Sequence, residues 1–408
     1  VRFAALHVRD YRRYYVATLL AMTGDSIEHV ISYWVIFQQF HSPTLAGFAV
    51  LSHWVPFLLL SAYMGALADR YDCRKLIHAS QGLYVLATVA WGVLILTDRL
   101  EVWHAVVILL VHGLAGVVGG TASQLVIHDM VGPGHLHSAV RLNASSRHLS
   151  LLLGPALGAG LMLLAGPAGG LLANALTYLP LTVLLLRIPY TGHAERSGSP
   201  ARRSGLTEWL ALLREAGADR RIMTMMVLGG ATSFFVGNAF QAQMPEYAHD
   251  LGADEAGIGY SALLAANAVG AVLGAVLLES LNVLRPSTRA AIAGAGAWAV
   301  TLALFAATPR YGLALALLGL AGVFNVAFSA MAQTLVQMLA PPRARGRIVG
   351  LFNTVVLGLR AGSGVTVGML GAVTGIHGSL ALGAAAVVVT AASLFAWESR
   401  RLRADRSL

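Results

Sequence analysis

The sequence predicts an all-α membrane protein of twelve transmembrane helices, six on each side of one long polar segment. Three observations carry this. Of 408 residues, 57% are apolar and 12% charged, against roughly 25% charged in soluble domains, so the chain lacks the charge to cover a water-exposed fold. Its apolar residues fall into stretches of the roughly 20 residues that a bilayer crossing needs. Its basic residues collect on alternate connections.

The stretches lie near 13–38, 44–66, 76–97, 102–127, 143–165 and 168–187, then 221–244, 257–280, 289–307, 311–337, 347–372 and 377–397. They are apolar all round rather than along one stripe, as lipid-facing helices require. Irregular backbone cannot face lipid, which excludes open sheets. Forty-four glycines allow close helix packing.

With a cytoplasmic N-terminus, 25 of the 28 Lys and Arg fall in the tails and loops of one side, in the runs up to 13, 70–75, 141–147, 187–221, 285–289, 343–347 and after 399. Only Arg99 and Arg310 fall on the other side, and Arg360 lies within a span. That asymmetry places both termini inside by the positive-inside rule. The net charge of +9 then reflects topology and anionic lipid. Arginines dispersed over seven segments do not form a nucleic-acid surface. The single Cys73 excludes an internal disulfide. The first span is too long for a cleaved signal and reads as an uncleaved anchor.

The polar segment gives the domain division: residues 1–188 and 221–408 as two six-helix bundles, with 189–220 as a cytoplasmic linker in which 206–216 reads as a short surface helix. Faint internal similarity relates the halves. Gly65-Ala-Leu-Ala-Asp69 ends the second span and Ala275-Val-Leu-Leu-Glu279 the eighth; Arg141 opens the fifth and Arg347 the eleventh. Parallel repeats of this kind are related by a pseudo-twofold axis and place a cavity at the midplane.

The loop after the second span reads Gly65-Ala-Leu-Ala-Asp69-Arg70-Tyr71-Asp72-Cys73-Arg74-Lys75. In that loop, on that side, in a chain with that span count, it resembles the conserved loop of the major facilitator superfamily. Asp72 and Cys73 depart from the usual Gly and Arg. Asp72, together with His41-Ser-Pro43 and Gly24-Asp25, is similar to the branch containing bacterial enterobactin and macrolide exporters. The resemblance implies the major facilitator fold and secondary transport by alternating access. It also implies a gating role for Gly65, Asp69, Arg70, Arg74 and Lys75. There Gly65 allows close helix approach, and Asp69 meets exposed N–H groups at the start of span eleven near Gly346-Arg347. The plainer alternative is that these charges only anchor topology. Gly154-Pro155-Ala-Leu-Gly158 in span five resembles the Gly-Pro signature of exporters, expected at the interface between halves; ordinary small-residue packing is the alternative.

Span one carries Asp25, Glu28 and His29 near the midplane, with Glu28 and His29 on the face of Asp25. Span eleven carries Arg360 at matching depth, with Gly358, Gly362 and Gly364 leaving room around it. A buried ionisable group costs about 2.5–3.5 kcal/mol or more. Asp25 and Glu28 with Arg360 are therefore candidates for proton coupling, against the alternative of a fixed ion pair. The arginine that many proton-coupled exporters carry in span four is missing; His112 and Gln124 are the polar residues there. His53 and His112 titrate in a useful range, though a lone membrane histidine is more often structural.

By the same resemblance, spans one, four, seven and ten line the substrate cavity. Its candidates are Tyr33, Trp34, Gln38, Gln124, Asn238, Phe240, Gln241, Asn325, Phe328, Met331 and Gln333. Amide, aromatic and Met groups suit a large, partly apolar ligand. The expected partners are a small-molecule substrate, protons and the lipid bilayer of a bacterial inner membrane, with a monomeric chain and no cofactor. A membrane enzyme finds no support, since no hydrolase, zincin or phosphate-loop motif occurs. His135-Leu-His137 with Asp129 is the one metal alternative.

Overall fold

The computed structural model describes residues 4–193, 213–253, 257–281, 287–341 and 345–404. Every long element is a helix: α1 (Arg9–Phe40), α2 (Pro43–Arg70), α3 (Cys73–Leu96), α4 (Val102–Asn174), α5 (Leu179–Leu185), α6 (Arg220–Phe235), α7 (Ala239–Ala242), α8 (Met244–Asp250), α9 (Ile258–Leu281), α10 (Thr288–Ala307), α11 (Tyr311–Leu339), α12 (Arg345–Gly358), α13 (Arg360–Ser363) and α14 (Leu370–Ala404). A π-helical turn, Gly364–Met369, joins the last two.

Local chemistry sets the ends. His41 takes positive φ to turn the chain, the Ser42 hydroxyl accepts from Leu45 N–H at 3.2 Å, and Pro43 fills the first turn, where its missing N–H costs nothing. Asp72, Asp219 and Ser287 cap α3, α6 and α10 by accepting from Arg74, Arg221 and Ala290 N–H groups.

Nine stretches of the described residues are long and apolar enough to cross a bilayer. Two of them, Leu149–Leu185 and Arg347–Arg400, run 37 and 54 residues, well beyond one crossing. Glycines with positive φ interrupt them at Gly166 and Gly375, and Gly132 interrupts α4 earlier. Helix α1 carries Arg9, Asp10, Arg12, Arg13, Asp25 and Glu28 and is not among the nine. Residues 206–212 of the expected surface helix lie outside the described residues; 213–217 are helical.

The chain forms two compact units. Unit 1 comprises residues 1–40, 52–202 and 256–261; unit 2 comprises 41–51, 203–255 and 262–408. The core of unit 1 gathers Tyr11, Tyr14, Cys73, Ile77, Val126 and Tyr178. That of unit 2 gathers Met225, Ile292, Phe328, Met331 and Phe352. In unit 2 the π-helical turn frees backbone carbonyls. Gln243 Nε2 donates to Val367 and Gly368 at 3.1 and 3.3 Å, and Ser379 Oγ to Val367 at 2.8 Å. Gly47 packs directly on Gly364 and Gly368.

Candidate functional site

Span one is held in unit 1 by small residues at helical spacing. Gly154 faces Ser26, and Gly158 faces Val30, whose side chain would lie 3.0 Å from an added Cβ. Asn174 Nδ2 donates to the Gly24 carbonyl at 2.8 Å. The Gly154–Pro155–Gly158 motif therefore seats α4 against α1 within one unit. Gly113 does the same between α4 and α2: it lies directly on the Ser52 backbone, which brings His112 beside His53.

These contacts converge four helices on one polar cluster. Glu28 is 2% exposed. It accepts from the Thr88 hydroxyl of α3 and from His112 Nδ1 of α4 at 2.9 Å. The Asp25 carboxylate stands 2.9 Å from His112 Nε2 and 3.7 Å from His29 Nδ1. His29 Nδ1 lies 2.8 Å from the Asp25 carbonyl, to which it donates. The three imidazoles touch: centroids are 4.8 Å apart for His29–His112, 4.9 Å for His29–His53 and 5.6 Å for His53–His112. Tyr84 packs edge-on to His112 at 5.0 Å and Tyr33 to His29 at 5.5 Å. The cluster is closed at Glu28 and His112 and opens at Asp25 and His29, whose side chains are 30% and 22% exposed. Ligand atoms of Asp25, His29, His53 and His112 all lie within 4.8 Å of one another, so these four are the residues that could hold a metal.

Asp25 and Glu28 thus find histidine and threonine partners inside their own unit. Arg360 begins α13 in unit 2 and is half-buried. The glycines near it do not leave the expected room. Gly362 is covered by the Phe234 ring, and Gly364 by Gly47 and Leu51, because the bent segment is packed rather than open.

In the loop around Asp69, the described atom nearest to a Cβ added at Gly65 is on Thr121, at 3.9 Å, an ordinary van der Waals contact. Asp69 is half-buried and Arg70 and Lys75 are exposed. Both departures from the usual loop have local reasons. Asp72 caps α3 and holds Arg74 at 2.7 Å, while Arg74 Nη1 donates to the Ile188 carbonyl at 2.7 Å. The Arg74 guanidinium keeps the Asp72 carboxyl below its ordinary value. Cys73 is fully buried and its N–H donates to Thr191 at 2.9 Å; Gly192 lies over its thiol, leaving no space for a longer side chain. Arg347 of unit 2 pairs with Glu215 at 3.6 Å.

Among the cavity candidates, Tyr33, Trp34, Phe240, Phe328 and Met331 are buried. Phe328 and Met331 sit within the core of unit 2. Trp34 stacks on Tyr260 at 6.0 Å, and the Tyr260 hydroxyl donates to Val30. Gln38, Gln124 and Gln333 are exposed, and Asn238, Gln241 and Asn325 half-buried.

A family described as transmembrane secretion effector matches residues 1–407. The chain belongs to this major facilitator family. Enterobactin exporter EntS of Escherichia coli O1:K1 is 26% identical over 291 residues, 71% of this chain and 68% of that one. The staphyloferrin A transporter of Staphylococcus aureus is 21% identical over 178 residues, 43% of this chain and 45% of the relative, so the match spans less than half of that protein. Among solved structures, a bacterial homologue of the lysosomal transporter Spinster superposes with a TM-score of 0.73 at 13% identity, covering 95% of each chain. A D-xylose–proton symporter superposes at 0.65 and 17%, covering 97% of each. These likenesses establish the fold. The major facilitator member described here is a multi-pass bacterial membrane protein and a secondary transporter that moves small molecules across a bilayer; its relatives are transporters, not enzymes.

Proposed function

We propose that this chain is a proton-coupled exporter of amphipathic small molecules, drugs or siderophore-like metabolites, working by alternating access in the bacterial inner membrane. The observation that carries the direction is the secretion-effector match along 1–407, joined by similarity to an enterobactin exporter over 71% of the chain. Twelve spans with both termini cytoplasmic fit the nine apolar stretches once the two long ones are divided at Gly166 and Gly375 and α1 is added. The division into bundles at 189–220, a central cavity and a monomeric chain belong to the same reading, as does a cytoplasmic gate at Asp69.

Asp25 and Glu28 are the groups we assign to coupling. A secondary transporter needs an ion-exchanging group inside the membrane, and an intramembrane acid is a functional site by default. Arg360 is assigned as the cation that replaces the bound ion in one state of the cycle. The test is transport in proteoliposomes, screened over siderophores, antibiotics and lipophilic cations. The proposal expects an outward substrate flux that collapses with an uncoupler. A flux directed inward down a proton gradient would make the protein a nutrient symporter on the same fold.

A further inference from the structure

The cluster in unit 1 holds more electron-pair donors than its hydrogen bonds use. His112 Nδ1 faces the Glu28 carboxylate at 2.9 Å. A carboxylate accepts, so Nδ1 carries a proton, and Nε2 is the nitrogen left to bind a metal ion when the ring is neutral. His29 Nδ1 faces the Asp25 carbonyl at 2.8 Å, which likewise leaves Nε2 of His29 as the lone-pair atom. His53 Nδ1 is buried without a hydrogen-bond partner. His112 is itself 4% exposed. Asp25 Oδ1 and His112 Nε2 approach to 2.9 Å, a contact in which a metal ion bound to both atoms would take the place of a shared proton.

The surroundings match those of a metal ligand. An imidazole that donates its second N–H to a carboxylate is fixed in orientation and made more basic, and Glu28, itself held by Thr88, does this for His112. Four-coordinate zinc sits about 2.0–2.1 Å from nitrogen and oxygen ligands. The four ligand atoms, now within 4.8 Å of one another, must draw closer to meet such an ion, and the partly exposed Asp25 and His29 are the side chains placed to move. Three imidazoles and one carboxylate select borderline divalent transition metals over calcium or magnesium, which take oxygen ligands.

We propose that Asp25, His29, His53 and His112 form a binding site for a divalent transition-metal ion of the zinc class, with Glu28 as the positioning carboxylate. The site stands on the geometry of unit 1 alone and goes beyond the export reading, which neither requires nor forbids it. Its test is a zinc titration of the full chain, free of any polyhistidine tag, chelator-stripped in detergent and read by competition with a chromophoric chelator. One zinc per chain is expected. Cobalt should give the visible absorption of a four-coordinate ion. Glu28→Gln should weaken zinc binding about 10–100-fold without changing stoichiometry, and Asp25→Asn with His53→Gln should remove it. The control variant His135→Gln with His137→Gln should leave it unchanged. Thermal unfolding of each metal-free variant reports folding separately, and zinc should raise the wild-type midpoint. Absence of stoichiometric binding to the wild type, binding that survives Asp25→Asn with His53→Gln, or binding lost in the His135/His137 variant would each overturn the site. No gradient or substrate enters the measurement, so its failure leaves the export proposal standing, and the reverse.

Discussion

Both units bury polar side chains, but for different ends. In unit 2 the buried Gln243 and Ser379 serve the backbone, satisfying carbonyls freed by the π-helical turn at Gly364–Met369, and the half-buried Asn267 donates to Leu318. In unit 1 Glu28 is a buried carboxylate whose partners are side chains, Thr88 and His112, rather than backbone. A backbone repair can be made with neutral amides and hydroxyls. A buried carboxylate costs far more, so its retention points to chemistry rather than architecture. Under the coupling proposal, the asymmetry of the two units marks unit 1 as the place where the ion would be handled.

The comparison breaks if the two kinds of polar group respond alike to mutation. Glu28→Gln removes a charge-assisted acceptor worth about 1.5–3 kcal/mol, so transport should fall about tenfold or more, measured as substrate efflux per folded molecule. Gly113→Val should follow. Its side chain would strike the Ser52 backbone, costing about 1–3 kcal/mol by overpacking and displacing His112; lowered thermal stability and weakened transport would appear together. Gln243→Leu should cost about 1–3 kcal/mol by orphaning buried carbonyls, yet leave transport per folded molecule largely intact. If its effect fell on transport with stability untouched, the division between the units would be wrong.

The smallest expected effect lies at the loop. Asp72→Ala loses the cap of α3 and the Arg74 pair, about 1 kcal/mol. Because Arg74 lowers the Asp72 carboxyl in the folded state, that contribution is present above the unfolded carboxylate value near 3.9. It is lost as pH falls through the lower folded value. Wild-type and Asp72→Ala unfolding midpoints should therefore converge only in strong acid. A difference constant with pH would remove the pair from the account.

The membrane class, the helices and the family were legible from charge depletion, span length and the Gly65–Lys75 loop. The acids of span one were legible as costly charges. Their partners were not, because a histidine in each of three spans reads as three separate structural groups. Depth carried the missing signal. His29 stands 11 residues before the end of α1 at Phe40, His53 10 after Pro43, and His112 10 after Val102, about 15 Å of rise from ends on one side. The contact of Gly154 and Gly158 with α1 was not legible for a related reason: a small-residue stripe announces a close contact but not its partner. Cys73 and Asp72 looked like departures from a motif until the segment 188–193 folded over them.

The most direct test of the central claim is paired measurement of substrate efflux and proton influx in proteoliposomes carrying wild type, Asp25→Asn, Glu28→Gln or both. The account predicts coupled fluxes in the wild type and, with Glu28→Gln or the double variant, loss of proton-driven efflux. Undiminished proton-driven transport in both single variants and the double would contradict it.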